Sequence, residues 1–352
     1  MAALDRFSAA GVGAVKLADR AGRAGGLLFQ LNLVRGAVEV EPGLVWEAIL
    51  DDAPLLSYQS ELDYSDRMVQ RDATLITEIR LPRAVMACLI GVGLALAGAS
   101  LQGVFRNALA DPSLIGVSSG AAFGAVTGIV LGLDRDIGIP AAAFASGLLT
   151  TALIYRLSVR RYRTSGTDLL LIGLGVNAIA SAYIGLASFA ARESQVGDIV
   201  FWAFGSLAGI FWADVYVPFI MVAVGAVVLP WFARAFNLMA LGEDEARHLG
   251  VDVDFLRLVV ISLAAMIVGV GVAYAGVIGF VGLVVPHLVR LLVGPDYRVV
   301  LPASALGGAV FLLAADLAAR TFVSLTEVPL GMITTLVGGP MFVLLILFSR
   351  QR

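Results

Sequence analysis

Long apolar runs alternate with short polar breaks along the chain, and the runs repeat at roughly the 20 residues that a helix needs to cross a bilayer. The pattern predicts spans over 81–104, 113–132, 137–159, 168–191, 212–236, 256–276, 278–293, 299–319 and 329–348. Residues 7–34 have the length of a further span but carry Lys16, Asp19, Arg20 and Arg23. Each charge at a helix centre costs about 2.5–3.5 kcal/mol on insertion scales, so 1–38 reads as a weak first span or as an interfacial amphipathic segment. It lacks the uninterrupted apolar core and cleavage site of a secretory signal peptide. Residues 194–209 are mixed and too short to span, which predicts a re-entrant or partial helix facing a cavity. Pro286 and the Gly338-Gly339-Pro340 cluster mark kinks.

Two polar regions interrupt this pattern. Residues 39–79 hold ten carboxylates against Arg67 and Arg71, a loop in water with at most a short helix. The second, LGEDEARHLGVDVDFLRL from Leu241 to Leu258, is an island between apolar runs. Glu243, Asp244 and Glu245 crowd its first turn, Arg247 and His248 its last, and Gly250 follows. That is the charge order a helix macrodipole favours, with the residue that best ends a helix. Ala246, Leu249 and Val253 share one side at helical spacing, so the island is either a docking face for a soluble partner or an ordinary solvated loop.

Composition fixes the class. Apolar residues make up 59% of the 352, charged residues 14%, and the mean hydropathy is +0.91; soluble domains hold roughly 45–50% and 25%. The expected fold is all-α and polytopic: one transmembrane domain over 1–352 with about ten helices, and short cytoplasmic helices over 240–256. Cys88 is alone in an apolar run, which makes an internal disulfide impossible. Gly116, Gly120, Gly124, Gly128 and Gly132 recur every fourth residue, a ladder for close helix packing or the smooth wall of a permeation path. If the island is cytoplasmic, alternation of the spans puts twelve arginines on its side and seven on the other, in accord with the positive-inside rule. The loop over 39–79 is then periplasmic.

Absent motifs narrow the function. Lys16 is followed by Leu17, and no other lysine exists, so no GxxxxGK[ST] phosphate loop is present. With two histidines, His248 and His287, and no HExxH, cysteine cluster or GxSxG, neither a metal site nor a hydrolase triad is suggested, and no catalytic residue is assigned. Asp316 and Glu327 lie near span ends and Asp168 begins one, leaving no buried carboxylate relay for an ion-coupled secondary transporter.

Five ordered blocks carry a family resemblance: Arg80-Leu81-Pro82-Arg83, the run Gly98 to Ala122, the island, Gly276 to Pro302 and Ala315 to Pro340. They resemble the permease subunits of type II ABC importers for iron chelates, haem and vitamin B12. Departures are the charge-broken first span and a longer loop before Arg80. The resemblance implies a multi-pass protein of the bacterial inner membrane, working as a homodimer with a second copy of itself. Two ATP-binding subunits would sit beneath it and a periplasmic substrate-binding protein above. It implies no cofactor on this chain, with ATP and Mg on the partner ATPase, and no nucleic-acid partner.

By the same resemblance, Gly242, Glu243, Ala246, Arg247, Leu249 and Gly250 belong to the helices that couple to the ATPase. Arg80, Arg83 and Arg320 would grip acidic residues of the binding protein, or else anchor span ends at the interface. Asn107, Leu109, Gly166 and Thr167 align with stretches that close the cytoplasmic end of the path. Asn177, Ser181 and Tyr183 are candidates for its wall, or for interhelical hydrogen bonds. The wording ADPSLIGVSSGAA is closest to haem permeases, with ferric siderophore and vitamin B12 importers as alternatives. Because no phosphate loop is present, the purified chain is expected to show no ATP turnover by itself, as a phosphate-release assay on nucleotide-subunit-free protein would read.

Overall fold

The computed structural model describes residues 19–35, 40, 42–51, 67–160, 163–164, 166–322 and 327–349. It is almost entirely helical. α1 (19–34) and α2 (Pro42–Asp51) precede α3 (Arg67–Thr74), which runs through a π-helical segment, Leu75–Arg80, into α4 (Leu81–Phe105). There follow a 3-10 turn, Pro112–Ile115, then α5 (Val117–Leu131), α6 (Gly138–Ser158), a two-residue ladder of Val159–Arg160 on Arg163–Thr164, α7 (Gly166–Ala190) and α8 (Glu193–Phe204). The rest is α9 (Trp212–Val228), a 3-10 turn Leu229–Phe232, α10 (Ala233–Met239), α11 (Glu243–His248), α12 (Val253–Ala275), α13 (Val281–Val293), α14 (Tyr297–Thr321) and α15 (Leu330–Ser349).

Among the described residues six helical stretches are long and apolar enough to cross a membrane: Met68–Phe105, Gly138–Ser158, Asp168–Ala190, Trp212–Met239, Val253–Ala275 and Tyr297–Thr321. Val117–Leu131, Val281–Val293 and Leu330–Leu344 are shorter apolar helices. Several expected spans are therefore shorter than the apolar runs that encode them. The run 113–132 breaks because Asp111 caps a 3-10 turn through the Ser113 amide at 2.9 Å and Gly116 then turns left-handed at φ +80°. The run 278–293 loses its first turn to Phe280, left-handed at φ +68°. At 13 residues, α13 is about 20 Å long, less than a hydrocarbon core of about 30 Å. In the opposite sense, 67–80 is not loop: it extends α4 backwards as one continuous helix. Of the doubtful first span, 19–34 is helix, while 7–18 lie outside the described residues.

The partial helix expected over 194–209 is α8, and irregular backbone meets at its end. The Ser206 amide donates to Ala275 O at 2.8 Å, Leu330 N to Gly205 O at 2.8 Å and Val277 N to Trp202 O at 3.4 Å. Unwound chain at membrane depth is tolerated where protein supplies the missing hydrogen bonds, as three elements do for one another here.

Helix α4 is the core, buried on nearly every side and packed against α14, α12, α13 and α9. Glycine makes this possible. A methyl on Gly91 would overlap the carbonyl of Gly308 in α14, one on Gly308 would overlap that of Gly91, and one on Gly98 would overlap Gly282 in α13. The glycine ladder of α5 does pack, but only in part. Gly120 and Gly124 face Thr150, Ser146 and Ala142 of α6, whereas Gly116 and Gly132 are left-handed helix ends. Gly91→Ala is expected to destabilise the protein by about 1–3 kcal/mol through overpacking. Gly175→Ala, on α7 with nothing within 4 Å, should be neutral or mildly stabilising. Thermal unfolding in detergent compares the two.

Candidate functional site

The island forms a short helix whose ends are both built by backbone geometry. Gly242 opens it at φ +148°, a position where a Cβ would strike the Glu245 carboxylate, and its carbonyl accepts from Ala246 N at 3.0 Å. At the other end the Val251 amide reaches back to Ala246 O at 2.9 Å and the Gly250 amide to Arg247 O at 3.0 Å, with Gly250 at φ +89°. This is a Schellman close, and the left-handed residue it requires is the glycine the sequence supplies. Asp252 then caps α12 by accepting from Phe255 N at 3.0 Å.

An ion cluster locks α11 onto α12. Arg257 donates to Glu243 at 2.7 and 3.2 Å, and Arg247 donates to Glu243 at 3.2 Å and to Asp254 at 2.8 Å. Burial alone would raise the Glu243 carboxyl, but hydrogen bonding and charge from Arg257, then Arg247, outweigh it and hold the group below its usual 4.5. Hydrogen bonding to Asp254 raises Arg247 despite some desolvation. Glu243 and Arg247, expected on the partner-facing surface, are thus committed to partners within the chain. Ala246 is also turned inward, 0% exposed, as is Val253, while Leu249 is 58% exposed. The shared side predicted for Ala246, Leu249 and Val253 is split: the first and last hold the island down and Leu249 points away. Leu241 and Phe255 are exposed beside Asp244, Glu245 and His248. Sequence reasoning missed both of these large apolar side chains, although each flanks the charged stretch.

Next to the island, the stretch after α4 is self-braced. Arg106 takes a left-handed conformation at φ +52°, Asn107 N donates to Gln102 O at 3.2 Å, and Leu109 N donates to Asn107 Oδ1 at 2.9 Å. Asn107 therefore stiffens its own turn, and Leu109 is exposed at the tip. Gly166 and Thr167 open α7; their side chains lie outside the described residues. On α7, Asn177 donates to Ser113 O at 3.3 Å, and the Tyr183 hydroxyl pairs with Thr127 Oγ1 at 2.8 Å while its ring packs against Phe123 in a tilted contact, centroids 4.2 Å apart. These two bind α7 to its neighbours, and Ser181 is exposed.

At the far end of α4, Arg80, Arg83 and Arg320 converge, but on the chain itself. Arg80 donates to Leu33 O at 2.6 Å and Val34 O at 2.7 Å; Arg320 donates to Asn32 O at 3.1 Å and Arg35 O at 3.2 Å, and also to the Asn32 side chain. Together they satisfy the carbonyls that the last turn of α1 leaves unpaired. Arg83 pairs with Asp316 at 2.9 Å and Glu327 at 2.9 Å, and Arg320 Nε lies 3.2 Å from the other Asp316 oxygen. Asp316, expected merely near a span end, is 0% exposed between two arginines. Beside this end of the bundle, a cavity of about 680 Å³ is lined by Arg135, Gln195, Asp198, Trp202, Asp214 and Tyr274. Among the described residues no cluster of His, Cys, Asp and Glu could hold a metal ion.

Because the Glu243 carboxyl is depressed, its contribution to the island is complete above the unfolded value near 4.5 and is lost as pH falls through the lower folded value. Hydrogen-exchange protection of α11, corrected for intrinsic rates, should hold at neutral pH and be lost as pH falls below 4.5 and through the depressed folded value. In Glu243→Gln the loss should already be present at pH 7, because a neutral amide cannot supply the negative charge that Arg257 and Arg247 share.

The FecCD transport family matches residues 26–348. A cobalamin import system permease of Halobacterium salinarum is 41% identical over 309 residues, 87% of this chain and 80% of the relative. A hemin transport system permease of Yersinia pestis is 40% identical over 281 residues, 78% of this chain and 83% of its own. Among solved structures, an inward-facing metal-chelate type ABC transporter superposes with a TM-score of 0.79 at 32% identity, covering 95% of this chain and 99% of that one. A multi-pass helical fold built around α4, an ordered polar island at one end and a match over nearly the whole chain agree: the chain belongs to the FecCD transport family, as a permease of the ABC importer type.

Proposed function

We propose that this chain is the translocating subunit of a homodimeric importer for an iron chelate, with haem the first choice. ATP hydrolysis is supplied by two separate ATP-binding subunits and substrate by a periplasmic binding protein. Ten helices per subunit would follow if α1, the six long spans and the three shorter apolar helices all cross. The observation that carries the reading is the island: a six-residue helix locked by Glu243, Arg247 and Arg257, which holds Leu249 exposed beyond the apolar helices. A braced apolar knob with a charged rim suits a contact that must transmit force to a soluble partner. The outward face of α7, with Leu171, Ile179, Leu186 and a 94% exposed Phe189, suits burial against lipid or the second copy.

Haem is favoured by the wording ADPSLIGVSSGAA and by the hemin permease among the relatives. Cobalamin is the second reading, supported by the relative from Halobacterium salinarum. A ferric siderophore is the third. An ion-coupled secondary transporter is disfavoured, since the carboxylate buried within α14, Asp316, is already neutralised by Arg83 and Arg320. Docking of the binding protein on Arg80, Arg83 and Arg320 would have its acids replace the internal carboxylates and carbonyls these side chains now hold. Asn107 and Leu109, with Gly166 and Thr167, would close the cytoplasmic end, and Ser181 would face the path from α7.

Reconstitution with the cognate ATPase and binding protein tests the assignment. The ligand that co-purifies with the binding protein should show a porphyrin spectrum, and uptake into vesicles should require ATP. A corrin spectrum would move the assignment to cobalamin, and uptake driven by an ion gradient alone would overturn it. Leu249→Asp, at an exposed site that does not hold the island together, should leave the subunit folded yet cut ATP-driven uptake at least tenfold. It would do so by placing an unpaired carboxylate in a contact worth a few kcal/mol.

A further inference from the structure

At the island end of the bundle, a second cavity of about 270 Å³ opens between the end of α4, α10, α13 and the start of α14. Two guanidiniums line it, Arg106 and Arg290, together with Gln102, Asn107 and Tyr297, and no Asp or Glu is among the lining residues. Nearby Asp296 is occupied: its Oδ1 accepts from Asn237 Nδ2 at 2.7 Å and from Arg298 N at 3.0 Å. Arg290 donates through one nitrogen to the Gln102 side chain, whose amide is itself held by Gly282 O at 3.2 Å. The other, Nη1, is buried without a well-formed hydrogen bond, although the Tyr297 hydroxyl lies close enough to the guanidinium to interact with it. A buried donor on a charged group left unpaired costs more than an ordinary lost hydrogen bond. An arrangement that fixes one such donor beside an open space, brings a second arginine to its rim and excludes carboxylates is built for an anion.

We propose that this cavity is a binding site for a phosphate group, held between Arg290 and Arg106 with the Tyr297 hydroxyl or the Asn107 amide as a further donor. The position favours phosphate over other anions. The cavity lies where the apolar helices end and the polar island begins, the depth at which lipid headgroups meet cationic side chains between helices. Guanidinium forks match phosphate oxygens in geometry as well as charge. The phosphate can come from an anionic lipid or from solution. Either way it would sit against Asn107, at the turn that leads to Leu109, and so bias the conformation of that turn.

The test uses the full chain purified in neutral detergent with phosphatidylcholine, titrated separately with inorganic phosphate and with phosphatidylglycerol, and read by thermal unfolding. Stabilisation by phosphatidylglycerol alone identifies a lipid headgroup, and stabilisation by inorganic phosphate a free ion. In either case the midpoint of the effect should shift about tenfold in Arg106→Asn, the loss expected for one charge-assisted hydrogen bond. Arg106 is exposed and left-handed, a conformation asparagine accepts, so that variant tests the site even if Arg290→Gln fails to fold. No stabilisation by either titrant, or an undiminished effect in Arg106→Asn, overturns the proposal.

Discussion

Backbone-to-backbone contact between α4 and its neighbours is the constraint from which the rest of the structure follows. Lipid tails are as apolar as leucine, so burying apolar side chains gives helices in a membrane little reason to associate, and close packing must supply it. Gly91 against Gly308 and Gly98 against Gly282 remove the side chains that would hold α4 away from α14 and α13. With α4 fixed, the polar groups at its two ends are fixed as well: Arg80 and Arg83 at its start, Gln102 and Arg106 at its last turn. Two polar clusters, the Arg83–Asp316–Arg320 network and the Gln102–Arg290 pair, therefore hang on one helix whose position is set by four glycines.

The network around Asp316 shows how costly groups come to be buried. An isolated carboxylate in that position would be strongly unfavourable, and two arginines on the same atoms would repel each other without it. Arg83 spreads its charge over Asp316 and Glu327, and Arg320 turns its remaining donors to the end of α1. The result ties α1, α4 and α14 at one point. The same residues explain why α1 remains attached despite a charged first half: Asp19 pairs with Arg23 in solvent, and Asn32 reaches Leu313 O at 3.1 Å.

Class, membrane character and the island were legible because they rest on local signals. Apolar run length gave the long helices, and the order of acids, bases and Gly250 gave α11 with its left-handed close. Span boundaries were less legible, since Gly116 and Phe280 break helices through backbone conformation that hydropathy does not register. Partner choice was least legible of all. Glu243 and Arg247 carry the same charge whether they face a second protein or Arg257 and Asp254, and nothing in the local sequence tells Ala246, buried, from Leu249, exposed. The three arginines posed the same problem. Their position at span ends was readable, but their partners lie up to 288 residues away in sequence, as for Arg320 and Asn32.

Helix α12 links the two ends of the molecule. It starts in the ion cluster, through Asp254 and Arg257, and ends at Ala275, which accepts from Ser206, with Gly276 against Trp202 O. Its 23 residues cover about 34 Å and contain no proline. Residues Ala273 to Gly276 at its far end line the larger cavity. An unbroken helix resists compression along its axis far better than a loop resists bending, so motion of α11 cannot be absorbed within α12. It must appear at the ends, where the links are hydrogen bonds and ion pairs that can exchange partners. The polar contacts of the island and the unwound junction at 205, 206 and 276–280 are thus the joints of the structure, and α12 is the rigid part between them.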